Sequence, residues 1–179
     1  MVARAAGRVI PSFELVRSAS ISSGGSKFRG AAVARDGRVV FVPYYADDVG
    51  VFDPTDDSFT LVDISATINL VSKFEGAAVA DDGRVVFAPY NADGVGVFDP
   101  TDDSFTLVDI SGMISSGNKF SGAAVANDGR VVFAPHFADV VGVFDPNPGL
   151  DRCTCCESKM KKLGLNVNRE CVASFAMNV

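Results

Sequence analysis

Residues 73–111 read KFEGAAVADDGRVVFAPYNADGVGVFDPTDDSFTLVDIS, and residues 27–65 repeat that phrase with five changes in 39 positions. A third copy, KFSGAAVANDGRVVFAPHFADVVGVFDP, occupies residues 119–146. Lys27, Lys73 and Lys119 open the copies at a constant spacing of 46 residues, the signature of a repeat architecture. Turn signals divide each copy. GAAVA is a short apolar run ending at Asp36-Gly37, Asp82-Gly83 or Asp128-Gly129, a dipeptide whose tolerance of positive φ predicts a two-residue hairpin loop. RVVFVP or RVVFAP is a β-branched and aromatic second strand, stopped by Pro43, Pro89 or Pro135, which cannot donate to a central ladder. VGVFDP is the third strand, and TDDS is an acidic turn before a fourth, FTLVDIS.

Four short strands in 40 to 50 residues, without helical periodicity, match the period of a propeller blade. The expected fold is all-β and β-propeller-like, with three four-stranded blades. The ends are offset. Ser12-Phe13-Glu14-Leu15-Val16 matches Ser58-Phe59-Thr60-Leu61-Val62, so an orphan fourth strand precedes the first full copy. After Pro146 the fourth strand is missing, because Asn147-Pro148-Gly149 replaces the turn. Twelve strands result, and the offset predicts a latch in which the first strand completes a third blade. The chain divides into an N-terminal extension (1–11), repeats (12–149) and a non-repetitive tail (150–179).

Three blades fall short of the four to eight of closed propellers. An open arc would leave the apolar faces of its end blades in water, and large exposed apolar patches mark association sites. A homodimer forming a six-bladed ring is the favoured expectation, with strand 12–17 of each copy completing the third blade of the other. A fragment of a longer propeller and an open or solenoid-like arrangement are the alternatives.

Composition narrows the partners. The net charge of −6 argues against nucleic acid and anionic membranes, which need a basic patch. No apolar stretch reaches the roughly 18 residues of a membrane span, and no secretory signal is present. The cytoplasm is the expected compartment, with only a faint transit-peptide character in MVARAAGRVI. The four cysteines, Cys153, Cys155, Cys156 and Cys171, all lie in the tail. CTCC holds one CxxC, whereas a zinc site usually shows two spaced pairs.

Loops after the second strands and before the first strands are expected on one face around the channel. That face carries Tyr44, Tyr45 and Asp47, then Tyr90, Asn91 and Asp93, then His136, Phe137 and Asp139, with Lys27, Lys73 and Lys119 beside them. The copies differ mainly there, and also at Arg29, Glu75 and Ser121 and at Asp48, Gly94 and Val140. Variation on a fixed scaffold marks a ligand-facing surface. The Lys and Asp rings could present charge to a polar ligand, or the Asp ring could take a divalent cation through oxygen ligands. The structural alternative has Asp capping its turn and Lys pairing with a neighbouring Asp. His136 is the sole histidine, too few imidazoles for a metal cluster or a Ser-His-Asp set. Arg38, Arg84 and Arg130 follow the Asp-Gly turns, where surface ion pairs are expected.

The phrase AVAxDGRVVFxPxxADxVGVFDPxxxSFTLVDIS resembles the blades of virginiamycin B lyase, SMP-30 and NHL-type propellers over residues 12–149. The resemblance implies a six- or seven-bladed ring in families that hold lyases, metal-dependent lactonases and binding modules. Pro43, Pro89 and Pro135 stand where the lyase-type blade often has an acidic residue, and no acidic triad or second His is present, so no catalytic residue carries over. WD-repeat and kelch signatures are absent. The function expected is a scaffold binding a small polar ligand or a protein, without cofactor. Its rivals are a metal-dependent lyase or hydrolase and a truncated propeller product.

Overall fold

The structure, a computed structural model, describes residues 13–16 and 24–148. The chain divides into two compact units, Met1–Pro146 and Asn147–Val179, and the blades all belong to the first. The extension 1–11 and tail 150–179, with its four cysteines, lie outside the described residues.

Eleven strands are present among the described residues, with no helix. The first blade is β1 (Phe28–Val33), β2 (Val39–Pro43), β3 (Asp48–Asp53) and β4 (Ser58–Asp63). The second is β5 (Phe74–Val79), β6 (Val85–Pro89), β7 (Gly94–Asp99) and β8 (Ser104–Asp109). The third has β9 (Phe120–Val125), β10 (Val131–Pro135) and β11 (Gly142–Phe144). Each blade is an antiparallel meander in chain order. The fold is therefore all-β with propeller-like blades, as the repeat predicts.

The Asp-Gly hairpins differ from expectation by one residue. Gly37 N–H donates to the Ala34 carbonyl at 3.0 Å and Ala34 N–H to the Arg38 carbonyl at 2.8 Å, so the loop is Arg35-Asp36-Gly37. Only Gly37, at φ 94°, takes positive φ there. A three-residue loop with glycine last needs one such residue, whereas the tightest two-residue turn needs two. The Asp36 carboxylate accepts from the Arg38 backbone N–H at 3.0 Å, and the same contact recurs at Asp82 and Asp128.

Each blade presents two apolar faces. On one, a glycine in the third strand makes room for phenylalanine rings: Phe28, Phe41 and Phe59 lie over Gly50, and Phe74, Phe87 and Phe105 over Gly96. A Cβ on Gly96 would come within 3.1 Å of all three rings. On the opposite face stand small β-branched side chains. Val40, Val42, Val49 and Val51 of the first blade form one buried cluster with Phe74, Val85 and Phe87 of the second. Val86, Ala88, Val95 and Val97 of the second do the same with Phe120, Val131 and Phe133 of the third. The core is thus two seams of like construction.

The N-terminal strand is the one element that departs from the sequence reading. Residues 13–16 form no strand, and Phe13 and Leu15 are 89% and 72% exposed. The third blade accordingly has three strands. Its last, β11, is half the length of β3 because β10 pairs with only three of its residues, whereas β3 gains a six-residue register with β4.

At the inner edges, β1, β5 and β9 each carry one extra residue, seen as a register shift between Phe28 and Ala31, between Phe74 and Ala77, and between Phe133 and Pro135 opposite β9. Gly30, Gly76 and Gly122 occupy these bulges at positive φ. The backbones approach closely there. A Cβ on Gly76 would lie 2.5 Å from Gly122 Cα. Gly76→Ala is expected to lower stability by about 2 kcal/mol or more, through the unfavourable φ and the backbone clash, as read by urea unfolding.

Asp48 lies directly across the ladder from Asp63, and like charges so placed are destabilising. Its carboxyl is pushed up, first by burial, then by Asp63 and Asp47, with Lys73 opposing. The folded chain holds that proton more tightly than the unfolded one, so the penalty is present at neutral pH and fades as pH falls through the raised value. Asp48→Asn is expected to stabilise the protein at pH 7 by a few tenths to about 1 kcal/mol, with the gain shrinking as the pH is lowered in thermal melts.

Candidate functional site

The rim is built from backbone first. Tyr44 N–H donates to the Lys27 carbonyl at 2.8 Å, and Lys73 N–H to the Tyr44 carbonyl at 3.0 Å. Tyr90 N–H then donates to Lys73, Lys119 N–H to Tyr90, and His136 N–H to Lys119, all within 3.0 Å. This alternating belt of lysine and aromatic positions crosses both seams without a break. It brings together Lys27, Lys73, Lys119, Tyr44, Tyr90 and His136.

The side chains of that belt divide into two roles. Lys73 and Lys119 are fully buried. Lys73 Nζ donates to the Ala46 carbonyl and the Asp47 carboxylate, both at 2.9 Å. Lys119 Nζ donates to Ser116 at 2.9 Å and to Asn91 at 3.4 Å, with Asp93 at 3.9 Å. Burial depresses the Lys119 ammonium and Asp93 opposes that shift. Lys27, at the start of the arc, is only half-buried and holds the Gly24 carbonyl. Of the two expectations for the lysines, pairing with a neighbouring Asp describes Lys73 and Lys119, whose ammonium groups also reach the second-to-third-strand loop of the preceding blade.

The carboxylates follow. Asp47 and Asp93 face those ammonium groups, and Asp139 is exposed on its loop. Among the described residues no three His, Cys, Asp or Glu side chains converge on a point where a cation could sit. Asn91 Oδ1 accepts the Asn118 N–H at 2.7 Å, which fixes the loop entering the third blade.

The aromatic residues are graded in exposure, Tyr44 buried, Tyr90 half-buried and His136 exposed. Tyr44 and Tyr90 lie 5.7 Å apart, and Tyr90 and His136 5.3 Å apart, between ring centroids. Tyr45 flanks Tyr44 and Phe137 flanks His136, each at 4.8 Å. Tyr45 and Phe137 are exposed. The Tyr90 hydroxyl is pushed up by burial first, then by Tyr44 and Glu75, with Arg29 acting the other way. Pairs at these separations have favourable tilted contacts.

A second ladder runs beside the first, on residues absent from the expected site although their variation was visible. The bulges of β1, β5 and β9 present Arg29, Glu75 and Ser121. Glu75 bridges them, accepting from Arg29 Nη1 at 3.0 Å and from Ser121 Oγ at 3.0 Å. The Arg29 guanidinium carbon sits 3.8 Å from the centre of the Tyr44 ring, so a cation–π contact joins the ladders. Arg29, Glu75 and Ser121, with Gly30, Gly76 and Gly122, line an open groove of about 350 Å³. A bulge re-aims the side chain it carries, and the variable polar residue preceding each bulge glycine was the available signal.

The arginines after the hairpin loops also cross seams. Arg38 donates to the Pro100 carbonyl and pairs with Asp103 at 3.0 Å, both in the second blade. Arg84 donates to the Pro146 carbonyl at 2.7 Å in the third.

No protein-family model matches this chain. No curated protein matches it in sequence. Among solved structures it is similar in fold to virginiamycin B lyase from Staphylococcus aureus, at 14% identity and a TM-score of 0.53, covering 73% of this chain and 45% of that one. A streptogramin B lyase gives 18% identity and a TM-score of 0.56, covering 73% and 44%. Kuenenia stuttgartiensis hydrazine synthase gives 17% and 0.50, covering 74% and 36%. The chain spans less than half the length of these structures, and at such identities the likeness is one of fold, here the propeller blade.

Lys73→Met is expected to destabilise the protein by roughly 2–4 kcal/mol, because the Ala46 carbonyl loses a charged donor beneath the seam. Lys27→Met, at the half-buried first position, is expected to cost well under half as much. Urea midpoints of the two variants compare them directly.

Proposed function

We propose that this chain is a binding scaffold whose groove and aromatic rim take a ligand combining a flat ring with an anionic group. The observation that carries this reading is the pair of coupled ladders, Arg29–Glu75–Ser121 and Tyr44–Tyr90–His136. The first occupies a position where all three repeats diverge, and the second one where the third copy places His136 for Tyr. Most scaffold residues around them are held constant, with Val42 against Ala88 an exception inside the seams, and the differing side chains at 29, 75 and 121 give one groove three different chemistries.

The physical fit is specific. Arg29 keeps guanidinium N–H groups beyond the one bound to Glu75, and its side chain is 42% exposed. A carboxylate can pair with it in a fork geometry. Tyr45 and Phe137 offer ring surface close by. Catalysis has weaker support: His136 packs between Tyr90 and Phe137, and the lyases similar in fold lend only their blades.

Indole-3-acetate is a suitable probe, since it joins a flat ring to a carboxylate. The chain has one histidine and three tyrosines, all of them in the rim, so their ring resonances report this surface alone. A titration is expected to shift the His136 and Tyr resonances saturably at millimolar probe. Arg29→Ala is expected to weaken the response at least tenfold while leaving the far-ultraviolet β spectrum intact. Resonances unmoved by millimolar probe would remove the reading.

A further inference from the structure

We propose that two copies of this chain close into one six-bladed ring, with Phe13 of each copy supplying a missing aromatic ring over Gly142 of the other. The proposal goes beyond the ligand reading and rests on the blade faces and edges rather than on the groove's side chains.

The chain forms one kind of seam twice, and its free ends are the two halves of a third. In the middle blade, Phe74, Val85 and Phe87 on one face and Val86 and Ala88 on the other are all fully buried. The matching front of the first blade, Phe28, Val39 and Phe41, is only half-buried. The matching back of the third blade is open: Val141 and Val143 are 58% and 51% exposed, where their counterparts Val95 and Val97 are 2% and 3%. The occupant that fits either face has already been built by the other end of the same sequence.

The details of the seam repeat the pattern. Gly30 meets Gly76 and Gly76 meets Gly122, while the nearest atom to a Cβ on Gly122 is the Ala134 methyl at 4.0 Å. Lys73 and Lys119 are sealed by the loop of the preceding blade, and Lys27 is half-buried. In the third blade Phe120 and Phe133 form a single ring pair over Gly142 among the described residues, where the first two blades each cluster three rings, Phe28, Phe41 and Phe59 or Phe74, Phe87 and Phe105. The third ring comes from position 59 or 105, on the fourth strand. Its counterpart 46 residues earlier is Phe13, which is 89% exposed on a segment that forms no strand. The outer edge of β11 pairs with nothing among the described strands, so residues 13–16 of a second copy have a ladder to join.

Front-to-back contact between copies is heterologous and must close to stay finite. Two arcs of three blades give six, inside the range of closed propellers. The ring doubles the rim, adding a second Arg29–Glu75–Ser121 set across the channel.

The test is the solution mass of the full chain under reducing conditions by size exclusion with light scattering. The expected mass is twice the chain's 18.8 kDa. Phe13→Asp and, independently, Val143→Asp are expected to give single chains with an unchanged far-ultraviolet β spectrum, while Phe13→Leu keeps the pair. A single-chain mass for the natural sequence at tens of micromolar overturns the proposal, as does a ladder of larger species. A pair that persists in both Asp variants equally overturns it. Failure here leaves the indole-3-acetate titration, and the reading it tests, untouched.

Discussion

The rim belt is the constraint on which the rest depends. Five backbone hydrogen bonds alternate between lysine and aromatic positions across both seams, and in two places the lysine's ammonium is buried against loop carbonyls, Ala46 for Lys73 and Asn91 and Ser116 for Lys119. A buried ammonium is costly unless its donors are met. Both lysines therefore hold their blades at a fixed distance and rotation, since any slip would leave a charge without partners. The valine and phenylalanine faces supply non-directional attraction; the lysines supply register. The aromatic rings and the bulge residues inherit their spacing from that register.

The same division explains where the repeats may vary. Gly96 cannot accept a side chain because three rings crowd it, and Gly76 cannot because of Gly122. Val40, Val42 and their counterparts fill the facing surfaces. Positions 29, 75 and 121 project from the inner edge at the bulges, and His136 is exposed at the end of the aromatic row, whereas Tyr44 is buried against Tyr90. Most divergence between the first two copies lies at bulges and loops, with Val42 against Ala88 the exception inside the seams.

Much of the fold was legible in the sequence. The 46-residue period, the Asp-Gly and Pro-terminated strands and the acidic third turn give the meander directly, because each is set by local backbone chemistry. What was not legible depends on neighbours far along the chain. Pairing of Lys73 and Lys119 with a neighbouring Asp was legible as one of two readings, but their complete burial in the seam was not. The Asp-Gly loop is longer by one residue because Asp36 uses its carboxylate on the Arg38 N–H and takes no positive φ itself. Arg29, Glu75 and Ser121 stood out as variable, but only the bulge, a product of pairing with the second strand, turns them into one groove. Arg38 and Arg84 were read as surface pairs, and their reach to the next blade follows from the stacking of blades. The matching phrase at Ser12 signalled a strand by sequence alone, and residues 13–16 form none.

The meander order has a kinetic consequence. Every strand in a blade bonds to its sequence neighbour through a turn of a few residues, so loop-closure entropy is small within a blade. Contacts across a seam join residues about 46 apart, still local by the standard of all-β proteins, where distant pairing slows folding. Hairpins can therefore nucleate in any copy and grow outward, as in linear repeat arrays. Near-identity brings the opposite hazard: the front of the second blade cannot tell the back of the first from that of any other copy, on its own chain or on another being made beside it. Crowded synthesis thus favours tangled, mispaired chains, and the few residues that differ between copies are all that discriminates among them.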